Sequence, residues 1–129
     1  MSGRRIIQGV AWQGQVCDCI IEGDRIAELR PSDRESSGGE PVLLPGLIDC
    51  HTHLREPGQE HKEDITSGLD AAASGGFCSI LCMANTSPVN DTAAVTSMIL
   101  GTAKQGHPLG PTLHPVGALS VGLAGKELA

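Results

Sequence analysis

The sequence predicts an α/β protein that begins a (β/α)8 barrel, with a small β-sheet segment ahead of it. Residues 1–45 contain short apolar runs separated by turn residues, whereas residues 46–129 alternate strand, helix, strand, helix and strand. This alternation indicates a parallel sheet covered by helices. Such a barrel needs roughly 250 residues, so the 129-residue chain is expected to be truncated, with about three barrel strands. A complete three-stranded α/β domain is the alternative.

The first segment is expected to contribute the N-terminal part of a small β-domain. Its predicted strands cover residues 6–10, 16–21, 25–29 and 42–44. Glu22-Gly23-Asp24 predicts a hairpin turn between the second and third strands, and the polar, glycine-rich stretch 32–40 predicts a loop.

The second segment supplies the βα units. Predicted strands cover residues 47–53, 77–83 and 112–118, and predicted helices cover residues 63–73 and 90–105, with another helix beginning at 125. The strand 47–53 shows little alternation of apolar and polar residues, so we expect it to be buried on both faces.

Apolar residues spaced three or four apart predict the inward faces of the two helices. In the first helix they are Ile65, Leu69, Ala72 and Ala73. In the second they are Val95, Met98, Ile99 and Ala103. Gly75-Gly76 is expected to end the first helix, and Asn90 or Asp91 to cap the second.

Composition narrows the range of functions. The net charge of -6 without a basic run argues against a nucleic-acid partner. No apolar stretch approaches the ~20 residues of a membrane span, and the first residues lack the apolar region of a signal peptide. We therefore expect a soluble cytoplasmic protein with no membrane partner.

Cysteine usage fits a reducing compartment. The five cysteines are predicted to be buried free thiols and stand at positions 17, 19, 50, 78 and 82. A metal site at Cys17 and Cys19 is the weaker alternative, because no second cysteine pair completes it.

The stretch 49–58 is the most informative part of the chain. His51 and His53 stand two residues apart at the end of a predicted strand, so their side chains point the same way. Paired neutral imidazoles on a rigid element suit a divalent metal. Two ordinary polar histidines are the alternative.

Three more polar residues are expected near this pair. Arg55 falls on the same face if the strand continues, and suits a carboxylate; a solvated ion pair with Glu56 is its alternative. Asp49, one pleat deeper, either orients a metal ligand or caps the strand. Asn85 follows the next strand, and barrel active sites form at that side of the sheet; a simple turn residue is its alternative.

Other candidate residues are assigned to the surface or to loops. They are His61, His107, His114 and Lys126.

Several stretches resemble class I dihydroorotases of the amidohydrolase superfamily. Residues 45–58, followed by Lys62-Glu63-Asp64, are similar to the signature of that family. Residues 82–86 resemble its Met-Pro-Asn-Thr motif, with Ala84 in place of the proline. Residues 75–77 and 116–119 look like the family's second and third strands, and Val121 stands where a lysine is common. The similarity runs from about residue 16 to the end.

The resemblance implies an amidohydrolase-type barrel and a zinc-dependent cyclic amidohydrolase. Such enzymes interconvert N-carbamoyl-L-aspartate and L-dihydroorotate in pyrimidine biosynthesis. It implies that His51 and His53 bind one or two zinc ions, and that His53, Arg55 and Asn85 hold the substrate. The family's other metal ligands and its proton-shuttling aspartate are expected beyond residue 129, so the isolated chain should be inactive.

Two alternative functions stay open. One is a hydantoinase or allantoinase relative, which substrate assays would separate. The other is a non-catalytic, dihydroorotase-like chain that assembles with aspartate carbamoyltransferase. For the partners of the chain, homo-oligomerisation and association with aspartate carbamoyltransferase are left open as alternatives.

Overall fold

The computed structural model describes residues 3–129, and the chain divides into two compact units. One unit ends at Pro45 and the other is Gly46–Ala129. Neither of the α-helices found among the described residues has the length and apolar character that crossing a bilayer requires.

The first unit is an antiparallel sheet in the order β1-β2-β3. Its strands are β1 (Arg4–Trp12), β2 (Gln15–Glu22) and β3 (Arg25–Pro31). The pairing of β1 with β2 shifts register between Ile7 and Val10, where the Gly9 N–H donates to Asp18 Oδ1 at 3.1 Å. Asp18 thereby satisfies a backbone group that the bulge removes from the ladder.

The predicted strand at 42–44 is wrong. Val42 forms only an isolated bridge to Ala11. Pro41 and Pro45 bracket this stretch, and proline has no N–H with which to extend a ladder.

The second unit is a parallel sheet in the order β4-β5-β6. Its elements are β4 (Leu47–Thr52), α1 (Ile65–Ser74), β5 (Phe77–Cys82), α2 (Ala93–Gly106), β6 (Thr112–Pro115) and a 3-10 turn (Val121–Leu123). The predicted α/β alternation is therefore confirmed, while the described residues form an open sheet and not a closed barrel.

Helix α1 begins at Ile65 rather than Glu63, because Asp64 is extended and acts as the N-cap. Its carboxylate accepts from the Ser67 N–H at 2.8 Å. Ile65 and Leu69 enter the core, as predicted. Ala73 is exposed instead of inward, and Gly68 is buried on that face.

Helix α2 is capped by Thr92, so the prediction of Asn90 or Asp91 as its cap is wrong. Ile99 and Ala103 are buried, and Val95 packs against them. These three residues are spaced by four and form one stripe. Met98 lies off that stripe and is 45% exposed, contrary to prediction.

The C-terminal predictions are corrected in two places. Strand β6 ends at Pro115 and not at Ala118. Residues 125–129 form no helix; Ser120 bridges Leu128, and the Ala129 N–H donates to the Leu119 carbonyl.

Strand β4 is not buried on both faces. Leu47 and Ile48 are exposed, the latter by 60%, and β4 pairs only with β5 within residues 3–129. The cysteine prediction is likewise correct only in part. All five thiols are free, but Cys50 and Cys78 are exposed.

Candidate functional site

The two histidines of the 49–58 stretch lie together at the carboxyl end of β4. His51 is in the strand and His53 follows its last residue, Thr52. Their ring centroids are 5.3 Å apart and the ring planes are inclined by 64°. The His51 N–H donates to Asp49 Oδ1 at 2.9 Å, so the carboxylate of Asp49 contacts the backbone of His51 and not its ring.

The chain changes direction directly after His53. Leu54 turns into the core, and Arg55 adopts a left-handed backbone with φ of 64°. The strand therefore does not continue to Arg55, and the predicted alternation stops before it. Glu56 accepts from the Ile65 N–H through Oε2 at 2.9 Å, which ties this loop to the start of α1.

The loop after β5 brings Asn85 to the histidines. Asn85 Oδ1 lies 2.9 Å from His53 Nδ1. The Met83 N–H donates to the Thr52 carbonyl at 2.9 Å, so the pairing of β4 with the β5 segment continues one residue past the end of β5. Of the residues predicted for the site, His51, His53 and Asn85 are thus brought together.

A second contact joins the two loops. The Ser87 N–H donates to the Pro57 carbonyl at 2.8 Å. Gly58, with φ of 97°, packs so closely that an added Cβ would lie 2.2 Å from the Ser87 carbonyl oxygen. Only glycine fits there, because both the backbone angle and the space exclude a side chain.

Asn90 is a residue whose importance the sequence analysis missed. It is 1% exposed; its Nδ2 donates to the Val116 carbonyl at 2.9 Å, and its Oδ1 accepts from Thr96 Oγ1 at 2.7 Å. The run of three capping residues, Asn90 to Thr92, was the available signal, because only one of them can cap α2.

The donors present fit part of a zinc site. Imidazole nitrogen is a zinc ligand, and zinc in proteins is usually four-coordinate. Within the described part of the chain, no group of three or more His, Cys, Asp or Glu residues is arranged to hold a metal. His51 and His53 can therefore supply only some of the ligands.

The other histidines lie on different elements from His51 and His53. His107 Nε2 contacts Asp70 Oδ1 at 3.0 Å, between the end of α2 and α1. His61 lies in an exposed turn, and His114 is an exposed residue of β6. No salt bridge involves Arg55 among residues 3–129.

Three ionisable groups of the second unit have shifted pKa values. Hydrogen bonds from the Ser67 backbone and then its hydroxyl lower the pKa of Asp64. The Gly58 N–H, which donates to Glu60 Oε1 at 2.7 Å, lowers the pKa of Glu60. Burial raises the pKa of the Cys82 thiol above its ordinary value.

Comparison with known families gives a consistent match. A family model described as Dihydro-orotase-like matches residues 40–128. This match includes both histidines, Asn85 and the loops that carry them.

The curated relatives are named dihydroorotase. The dihydroorotase of Geobacter metallireducens is 42% identical over 135 residues, which cover 100% of this chain and 31% of the relative. That of Syntrophobacter fumaroxidans is 49% identical, over 97% of this chain and 30% of its own length. That of Mycobacterium leprae is 44% identical, over 90% and 28%. The chain thus spans about 30% of the length of these relatives, and it belongs to the dihydroorotase-like family.

Proposed function

We propose that this chain forms the histidine-bearing part of a dihydroorotase, which interconverts N-carbamoyl-L-aspartate and L-dihydroorotate in pyrimidine biosynthesis. The observation that carries the proposal is the contact between His53 and Asn85, beside His51, at the carboxyl ends of β4 and β5. Active sites of barrel enzymes form at this end of the strands.

His51 and His53 are the residues that would hold zinc. Donation from His53 Nδ1 to the amide oxygen of Asn85 leaves a lone pair on Nε2, which is the atom a metal needs. Bound zinc supplies a water of lowered pKa and polarises a carbonyl. The remaining ligands would come from residues outside this chain, because zinc usually takes four ligands.

Asn85 and Arg55 are proposed to hold the carboxylate of the substrate, with His53 beside it. Because Asn85 Oδ1 is used by His53, its Nδ2 is left as the donor for a ligand. Arg55 is two residues from His53 and would add a charge-assisted hydrogen bond. Asp49 would support the site by fixing the backbone of His51.

The domain division, the location and the partners of the chain are also proposals. Residues 1–45 are assigned to the small β-domain, and residues 46–129 to the first βα units of an amidohydrolase-type barrel. A cytoplasmic location is an expectation drawn from the composition. Self-association and assembly with aspartate carbamoyltransferase are alternatives drawn from the resemblance.

An exchange experiment tests the proposal. This chain would replace the matching 31% of the Geobacter metallireducens dihydroorotase, and the chimera would be assayed with dihydroorotate, hydantoin and allantoin. We expect turnover of dihydroorotate alone, with zinc required. His51→Asn should reduce turnover to background, because it removes an imidazole from the metal site.

His61→Asn is the matched control, since it changes a histidine of an exposed turn. It should retain the activity of the unmodified chimera. A folded chimera that prefers hydantoin or allantoin would instead support the related amidohydrolases. Turnover that is unaffected by His51→Asn would contradict the assignment of the site.

A further inference from the structure

We propose that Asn90 is a positioning residue, which fixes the amide of Asn85 and, through it, the orientation and tautomer of the His53 ring. Its relevance to catalysis rests on the proposed function, whereas the positioning itself is a property of this chain. Both asparagines lie in the loop between β5 and α2.

The base of this loop is closed by backbone hydrogen bonds. The Ala84 carbonyl accepts from the N–H groups of both Thr86, at 2.9 Å, and Asn90, at 3.0 Å. The hydroxyl of Thr86 donates to the Pro88 carbonyl at 2.7 Å, inside the loop. Residues 85–89 are thus held between Ala84 and Asn90, and Asn85 is the first residue after the closed base.

The side chain of Asn90 anchors that base to two other elements. Nδ2 donates to the Val116 carbonyl, just after β6, and Oδ1 accepts from Thr96 in the first turns of α2. The Asn90 carbonyl accepts from the Ala118 N–H at 2.7 Å. With Asn90 1% exposed, water cannot replace these bonds without opening the structure.

The position of Asn85 decides which nitrogen of His53 carries the proton. An amide oxygen 2.9 Å from Nδ1 accepts a hydrogen bond, so it selects the Nδ1–H tautomer and leaves Nε2 unprotonated. If the base of the loop shifts, this contact lengthens and the preference for Nδ1–H is lost. Asn90 therefore acts on His53 without touching it.

The test is the histidine ¹⁵N spectrum of this chain, recorded without metal or substrate at a pH where the imidazoles are neutral. Thr96→Val removes the hydroxyl that donates to Asn90 but keeps the shape of the side chain. Asn90→Ala removes both side-chain bonds. Thr102→Val is the control, because it makes the same chemical change further along α2.

We expect the Nδ1–H form of His53 to predominate in the unmodified chain and in Thr102→Val. Its excess over the Nε2–H form should be lost in Thr96→Val and Asn90→Ala. An unchanged His53 tautomer in the folded variants overturns the proposal; if circular dichroism shows that Asn90→Ala is unfolded, Thr96→Val alone decides. Because no dihydroorotate is used, the result is independent of the exchange assay.

Discussion

His53 and Asn85 are 32 positions apart in the sequence, and their side chains are in contact, Nδ1 to Oδ1, at 2.9 Å. One follows β4 and the other follows β5, so the contact joins the ends of two neighbouring parallel strands. The residue proposed to bind metal and the residue proposed to bind substrate are therefore oriented by one another, which is the arrangement that preorganised sites require.

The first prediction concerns Asn85. In the chimera, Asn85→Leu should raise the KM for dihydroorotate by about 10–100-fold, because a hydrogen bond to a charged group contributes roughly 1.5–3 kcal/mol. Steady-state kinetics provides the measurement. Ser87→Ala, a change in the same loop that keeps the Cβ, should leave KM nearly unchanged; a KM equal in all three proteins would exclude Asn85 from carboxylate binding.

The second prediction compares two glycines. Gly58→Ala should lower the free energy of unfolding by at least about 1 kcal/mol, because alanine disfavours a positive φ and its Cβ would collide with Ser87. Gly101→Ala has open space around its Cβ inside α2 and should raise the free energy of unfolding by roughly 0.5–1 kcal/mol. Urea titration measures both, and equal effects would refute the close approach of the two loops.

The third prediction concerns pH. The pKa of Asp64 is lower in the folded chain than its ordinary value, so its contribution to stability is complete above that ordinary value and is lost as the pH falls through the folded one. Asp64→Asn keeps a capping side chain that does not titrate.

Urea titrations of both proteins should therefore show that the stability of the unmodified chain, relative to Asp64→Asn, falls between about pH 5 and pH 3. A difference in stability between the two proteins that is constant over this range would show that the ionised form of Asp64 is not stabilised by capping α1.

The fourth prediction compares two apolar residues of the helices. Leu69→Ala should lower the free energy of unfolding by about 2–5 kcal/mol, because Leu69 is buried against Ile80 and its neighbours in the core. Met98→Ala should cost less than about 1 kcal/mol, since Met98 is 45% exposed. A large decrease in the free energy of unfolding for Met98→Ala would support the inward position that the sequence predicted for Met98.

The order of strands and helices in the second unit was predictable because each element carries its own pattern. The apolar spacing of α1 identified Ile65 and Leu69, and the His-x-His spacing placed two imidazoles on one side of β4. These properties depend on neighbours along the chain, which sequence periodicity reports directly.

What the sequence could not predict depends on contacts between distant residues. The N-cap of α2 is Thr92 and not Asn90, whose side chain donates instead to the Val116 carbonyl, 26 residues further along the chain. Arg55 does not lie on the predicted strand face, because its backbone is left-handed. No local sequence pattern marks this conformation. The meeting of His53 with Asn85 was inferable only once the strands were taken as parallel.

The exposure of β4 has a practical consequence for work with this chain. Leu47 and Ile48 lie on a strand with one free edge among the described residues, and exposed apolar edges template aggregation between copies. Copies of the chain should therefore associate through this edge and precipitate at high protein concentration, and Ile48→Lys should raise the concentration at which they do. Light scattering against protein concentration would follow the onset.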